Sequence, residues 1–134
     1  MDSNPAETGA GHQARPKRVL LVEDDDRLLE LMSGWLRRAG HIVVPCNRFE
    51  KAKDYLATEN PDVLVTDVRL GAYNGLQLAV FSKAQHPTMR IIVLTGFDDP
   101  VLRQEAATTG ASYLVKPISA EQLVDGVNAD PSAT

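Results

Sequence analysis

The sequence predicts an α/β protein built on a doubly wound, five-stranded parallel sheet in three layers, α/β/α. Three observations carry that expectation. Short apolar runs alternate with amphipathic stretches along nearly the whole chain. The run Pro61-Asp62-Val63-Leu64-Val65-Thr66-Asp67 is almost wholly apolar and β-branched, as suits a strand buried on both faces. A length of 134 residues fits one domain large enough for a real core. Strict β/α alternation implies a parallel sheet covered by helices on both sides, and right-handed crossovers leave few ways to wind it. Five strands favour the order 2-1-3-4-5, the flavodoxin-like arrangement.

The elements follow in order. Residues 1–16 are Gly-, Ala-, Pro- and polar-rich without periodicity, which predicts a disordered tail. Lys17-Arg18-Val19-Leu20-Leu21-Val22 is the first strand, and it stops at four acids, Glu23-Asp24-Asp25-Asp26. Leu28, Met32, Trp35, Leu36 and Ala39 then fall at helical spacing, with Gly40 as the stop. Acids in a first turn complement the helix dipole, but four exceed what capping needs. His41-Ile42-Val43-Val44-Pro45 is the second strand, and Asn47 with Glu50 reads as a capping box opening a helix to about residue 57.

The third strand ends on Asp67. A loop over residues 68–75 and a helix from about 74 to 85 follow, halted by His86-Pro87. Arg90-Ile91-Ile92-Val93-Leu94-Thr95 is the fourth strand. Asp98-Asp99-Pro100 starts the next helix and Gly110 ends it. Ala111-Ser112-Tyr113-Leu114-Val115 is the fifth strand and runs into Lys116-Pro117. Ser119 with Gln122 is a second capping box, for a helix to about residue 127, and residues 128–134 read as a frayed tail.

Bulk composition narrows the function classes. Hydrophobic content of 43% and charged content of 24% are those of a globular protein. A formal net charge of -4 provides no electrostatic basis for binding nucleic acid. No apolar run approaches the roughly 20 residues that span a bilayer, and the N-terminus lacks the apolar core of a signal peptide. A cytoplasmic location is the simplest expectation. A single cysteine, Cys46, excludes an internal disulfide and a Cys-based metal site, and it reads as a small buried hydrophobe.

Parallel strands point their carboxyl ends one way, so one rim collects Glu23, Asp24, Asp67, Thr95 and Lys116. Each has an ordinary structural reading: turn or helix cap for the acids, strand-end residue for Thr95, solvated lysine for Lys116. Together they are harder to explain that way. At ~4 Å and an effective dielectric near ~20, each carboxylate pair costs about 4 kcal/mol. A cation resolves such a cluster, and an all-oxygen set with room for water suits Mg²⁺. A carboxylate nucleophile, a divalent ion, an ammonium and a hydroxyl make a site for moving a phosphoryl group onto Asp67.

The same residues carry a resemblance. Val19-Leu20-Leu21-Val22-Glu23-Asp24-Asp25, Val65-Thr66-Asp67 with Gly75, Leu94-Thr95-Gly96 and Tyr113-Leu114-Val115-Lys116-Pro117 resemble the receiver domain of bacterial two-component response regulators. The likeness spans about residues 17–127. It implies Mg²⁺ binding by Glu23 and Asp24, with Asp24 the direct ligand, and by Asp67 and the backbone carbonyl of Arg69. It implies Asp67 as phosphoacceptor, Thr95 contacting the phosphoryl group after activation, and Lys116 ion-paired with it. Thr95 and Tyr113 would be the switch pair, and the Lys116–Pro117 peptide would be cis. The partners implied are a sensor histidine kinase or phosphotransfer protein, and a downstream protein reached through the fourth helix, fifth strand and fifth helix. Phosphate lifetime in the family depends on positions two beyond the phosphoacceptor and two beyond the Thr, here Arg69 and Phe97. Neither side chain can accept a proton from water, so the phosphorylated state should be long-lived.

There are departures from the family pattern. Gly71 stands where the family usually has proline, which should loosen the loop after Asp67. The approach to the fifth strand, Gly110-Ala111-Ser112-Tyr113, is one residue short. No DNA-binding or enzymatic output domain follows residue 127, so the chain reads as a stand-alone, non-turnover switch. Two rivals remain: a haloacid dehalogenase-type phosphohydrolase, using the D-x-D in Asp24-Asp25-Asp26, and a receiver-shaped docking module that is never phosphorylated.

Overall fold

The computed structural model describes residues 15–129. Most of the expected N-terminal tail, and residues 130–134 of the C-terminal one, lie outside the described residues. The elements are β1 (Arg18–Val22), α1 (Asp26–Arg38), β2 (Ile42–Cys46), α2 (Phe49–Thr58), β3 (Val63–Asp67), β4 (Arg69–Leu70), β5 (Tyr73–Asn74), α3 (Leu76–Gln85), β6 (Arg90–Thr95), α4 (Pro100–Thr109), β7 (Ser112–Val115) and α5 (Ala120–Asn128). The main sheet is parallel and ordered β2-β1-β3-β6-β7, which is the expected 2-1-3-4-5 winding.

Side chains alternate across this sheet and so divide the core into two layers. Val19, Leu21, Val63, Val65, Ile92 and Leu94 pack with Met32 and Leu36 of α1 and Leu123 and Val127 of α5. Leu20, Val22, Leu64, Ile91 and Val93 pack on the other side with Ala52 and Leu56 of α2, Leu78 and Ala79 of α3, and Ala106 of α4. β3 has every residue buried, as its unbroken apolar run requires. Among the described residues no helix is long and apolar enough to cross a membrane.

Local signals decide the structure where a single side chain can satisfy the backbone. Asp25 caps α1, accepting from the N–H groups of Arg27 and Leu28. Asp99 caps α4 with Pro100 in its first turn, and Gly110 ends that helix at φ +86°. Both halves of the Ser119/Gln122 capping box are made.

Elsewhere the structure departs from expectation. Asn47 and Glu50 form no capping box: α2 opens after Arg48, without a side-chain cap, and the Asn47 amide donates to Asp26 Oδ1 at 3.2 Å. A neighbour in space outcompeted the local pairing. His41 precedes β2, where Lys17 N–H donates to its Nδ1 at 3.1 Å and its Nε2 lies 2.8 Å from Asn128 Oδ1. Asn128 is therefore the last residue of α5, held by this contact, and not part of a frayed tail.

The loop after Asp67, which Gly71 was expected to loosen, is built of regular secondary structure. It closes as a small antiparallel hairpin, β4 against β5, pairing Arg69 with Asn74 and Leu70 with Tyr73. Gly71 sits in its turn at φ +63°, a conformation open to glycine and closed to proline. The hairpin ends at Gly75, whose N–H donates to Val68 O at 2.6 Å, and α3 starts there. A Cβ on Gly75 would overlap the carbonyl oxygen of Asp67 and crowd Thr66 Oγ1. Gly75→Ala should therefore lower unfolding stability by about 3 kcal/mol, the upper range for overpacking. A urea midpoint equal to that of the native chain would contradict this packing.

Candidate functional site

Register brings the predicted residues together. Val22 lies opposite Thr66, so Glu23, the next residue, meets Asp67 at the sheet end. Asp67 lies opposite Leu94, one short of Thr95, and Thr95 lies opposite Val115, one short of Lys116. Two backbone bonds tie these ends: Val68 N–H to Leu94 O at 2.8 Å, and Lys116 N–H to Thr95 O at 2.7 Å. The Lys116–Pro117 peptide is cis, as the resemblance implied.

Lys116 begins two strands away from β3, and its length lets the ammonium reach both buried acids. Its Nζ lies 2.7 Å from Glu23 Oε1 and 3.0 Å from Asp67 Oδ1. Glu23 is 1% exposed and Asp67 6%, so neither carboxylate has bulk water to stabilise its charge. Burial pushes the Glu23 carboxyl above its usual range; Asp67 adds to the rise, and hydrogen bonds from Lys116 and the Asp25 N–H oppose it. Burial likewise raises Asp67, with Asp24 adding and Lys116 opposing. For Lys116, burial alone would lower the pKa, but the two carboxylates outweigh it and hold the ammonium above its ordinary value.

Asp24 completes the cluster from the exposed side. One oxygen each from Glu23, Asp24 and Asp67 lie within 4.8 Å of one another. The four consecutive acids thus serve different ends. Glu23 and Asp24 face the site, Asp25 caps α1, and Asp26 turns to Asn47. The cluster holds Asp24 without Asp26, so the D-x-D on which a hydrolase would depend does not converge.

Thr95 is buried and sits beside the site, but its hydroxyl is engaged within its own loop. It donates to Phe97 O at 3.0 Å and accepts from Phe97 N–H at 3.1 Å. Tyr113 is half-buried on β7, and its hydroxyl accepts from Asp99 N–H at 3.1 Å, at the start of α4. The Arg103 guanidinium stacks over its ring, 4.5 Å from the centroid. Arg69 and Phe97 line one depression of about 400 Å³ together with Thr95, Tyr73 and Leu102. Phe97 is 66% exposed.

Sequence reasoning missed one participant and the packing role of another. The N–H of Gly71 donates to Asp24 Oδ2 at 3.2 Å, a contact that only the hairpin creates. Gly75, legible as a motif residue, also sets how closely α3 approaches Asp67.

A family model described as the response regulator receiver domain matches residues 19–128. A cyclic di-GMP phosphodiesterase of Thermotoga maritima is 34% identical over 106 residues, covering 78% of this chain and 28% of that protein. Response regulator protein FleR of Pseudomonas aeruginosa is 35% identical over 109 residues, covering 81% of this chain and 23% of its own length. The chain thus spans about a quarter of these relatives. A solved response regulator from Burkholderia pseudomallei, with a phosphorylated aspartic acid and calcium, superposes with a TM-score of 0.78 at 26% identity, covering 87% of this chain and 69% of that one. Chemotaxis response regulator CheY4 of Vibrio cholerae gives 0.73 at 26% identity, covering 83% and 95%.

Removing the ammonium would leave two buried acids without their shared counter-charge. Lys116→Met should cost about 3 kcal/mol in urea denaturation with EDTA present, the lower end for breaking a buried pair because the lysine is about one-fifth exposed. A loss under ~1 kcal/mol, as for a surface pair, would show that the triad is not a structural clamp.

Proposed function

The chain belongs to the response regulator receiver domain family, and we propose that it accepts a phosphoryl group from a phosphohistidine donor onto Asp67 and signals by changing a protein-binding face. The observation that carries this is the charge balance of the site. Three carboxylates gathered around one ammonium leave two negative charges, the complement of one divalent cation. The donors are all oxygen, and one of the three acids is open to solvent, which fits Mg²⁺ with water retained. Glu23, Asp24, Asp67 and the backbone carbonyl of Arg69 would hold it. When bound, Mg²⁺ supplies charge neutralisation for the phosphoryl oxygens.

The chain's own residues do the rest. Lys116 engages Asp67 Oδ1, leaving Oδ2 to attack phosphorus. A P–O bond forms as the P–N bond to the donor imidazole breaks, giving an acyl phosphate on Asp67 and a free histidine. Lys116 stays as the fixed positive charge beside the product. Thr95 reaches the new phosphoryl oxygens only by giving up its bonds to Phe97, which frees the loop leading to α4. Tyr113 is hydrogen-bonded to the residue that caps α4, so a moving loop has a direct route to α4, β7 and α5. Exposed Val101 on α4 offers that face an apolar contact for a downstream protein. This is a switch that is reset and not a turnover enzyme.

Acetyl phosphate or a phosphorylated histidine donor should label Asp67, and labelling should vanish with EDTA or in Asp67→Ala. Amide NMR shifts on labelling, or with beryllofluoride, should spread to α4, β7 and α5. Label that persists in EDTA rules out the metal site, and shifts confined to α1 and α2 rule out the output face.

Arg69 and Phe97 border the same depression as Thr95, and neither offers an acceptor to orient an attacking water. The phosphorylated state should therefore decay slowly. Arg69→Asn combined with Phe97→Glu should shorten the acyl phosphate's half-life by about tenfold, the low end for supplying a positioned acid-base group. A double variant that decays no faster than the native chain refutes this role.

A further inference from the structure

We propose that the backbone N–H of Gly71 is a positioning group for the metal, holding Asp24 in the orientation that completes the site. The inference rests on the reading of Glu23, Asp24 and Asp67 as metal ligands. Two of these acids need no help: Glu23 and Asp67 are buried and fixed by Lys116. Asp24 is exposed and, among the described residues, makes no ion pair. A free carboxylate there would sample several rotamers, and metal binding would have to order it. The Gly71 N–H donates to Oδ2 at 3.2 Å, which orients the group while Oδ1 stays available.

Residue 71 can do this for two separable reasons. It carries an N–H, which proline lacks, and it sits in a two-residue turn at φ +63°, which most side chains resist. The N–H is not used in the hairpin ladder, whose pairs are Arg69 with Asn74 and Leu70 with Tyr73.

The hairpin that carries Gly71 is itself held on both sides. Leu70 is buried, and the Tyr73 ring stacks on Phe49 at the start of α2, with centroids 4.5 Å apart and planes 8° from parallel. The Glu50 carboxylate beside the Tyr73 hydroxyl raises the phenol's pKa. The donor is therefore fixed to α2 on one side and aimed at the cluster on the other. An outer-shell hydrogen bond that orients a ligand commonly carries about 10- to 100-fold in metal affinity. An exposed bond of 3.2 Å belongs at the lower end.

The test is Mg²⁺ titration by calorimetry on the full chain as native, Gly71→Asn and Gly71→Pro, with the metal-free melting temperature of each recorded. Asparagine keeps the N–H and tolerates the left-handed turn, so its Kd should stay within about twofold of native. Proline removes the donor and should weaken binding about tenfold. Because proline also disturbs the turn, a second readout uses the native backbone: exchange of the Gly71 amide hydrogen should quicken about tenfold in Asp24→Ala. An unchanged Kd in Gly71→Pro, equal weakening in both variants, or an amide indifferent to Asp24→Ala overturns the inference. A native chain that binds no Mg²⁺ overturns the metal-site reading beneath it.

Discussion

A single ammonium between two buried carboxylates governs the end of this sheet. Lys116 reaches Glu23 and Asp67 from two strands away, so three strands share one electrostatic contact. Burial raises both acids, and only this neighbour opposes the rise from within the side-chain set. The arrangement is still negatively charged once Asp24 is counted. Apolar residues in place of such a buried pair often leave a fold as stable or more so, but they would have no use for a cation or a phosphoryl group. The remaining charge is what the proposed cation would neutralise.

Around that triad the neighbouring groups are occupied, though not by the acids. The Thr95 hydroxyl is closed on Phe97, and Tyr113 is closed on Asp99. Both contacts involve the segment between β6 and α4. Each is a single hydrogen bond or pair of bonds, worth about 1 kcal/mol apiece, so either can be exchanged for a contact of similar strength. A phosphoryl group on Asp67 would offer Thr95 such an exchange. The proposed switch would need two arrangements close in free energy, and contacts of this strength are compatible with that.

The other flank of the site is built differently. The β4–β5 hairpin is closed by backbone pairing, by the Phe49–Tyr73 stack and by Gly75 packed on the Asp67 carbonyl. One side of Asp67 is thus firmly packed and carries the Gly71 N–H that meets Asp24, while the other is held by a few hydrogen bonds and leads to α4.

The sequence alone determined most of the fold and the membership of the site. Alternation of apolar runs and helical periodicity dictated the winding, because a strand buried on both faces cannot read otherwise. Glu23, Asp24, Asp67, Thr95 and Lys116 were legible because parallel strands deliver their carboxyl ends to one rim. Asp99 and Ser119 were legible as caps because their partners lie within three residues, whereas the structure decided which of the four acids, Asp25, caps α1. The tertiary structure decided what depends on neighbours distant in the chain. Asn47 left its expected cap for Asp26, and Asn128 was ordered by His41. Gly71 became a hairpin turn with its N–H on Asp24 instead of a loosened loop. Local spacing says which bonds a residue can make with its own segment; it is silent on competitors brought in by the fold.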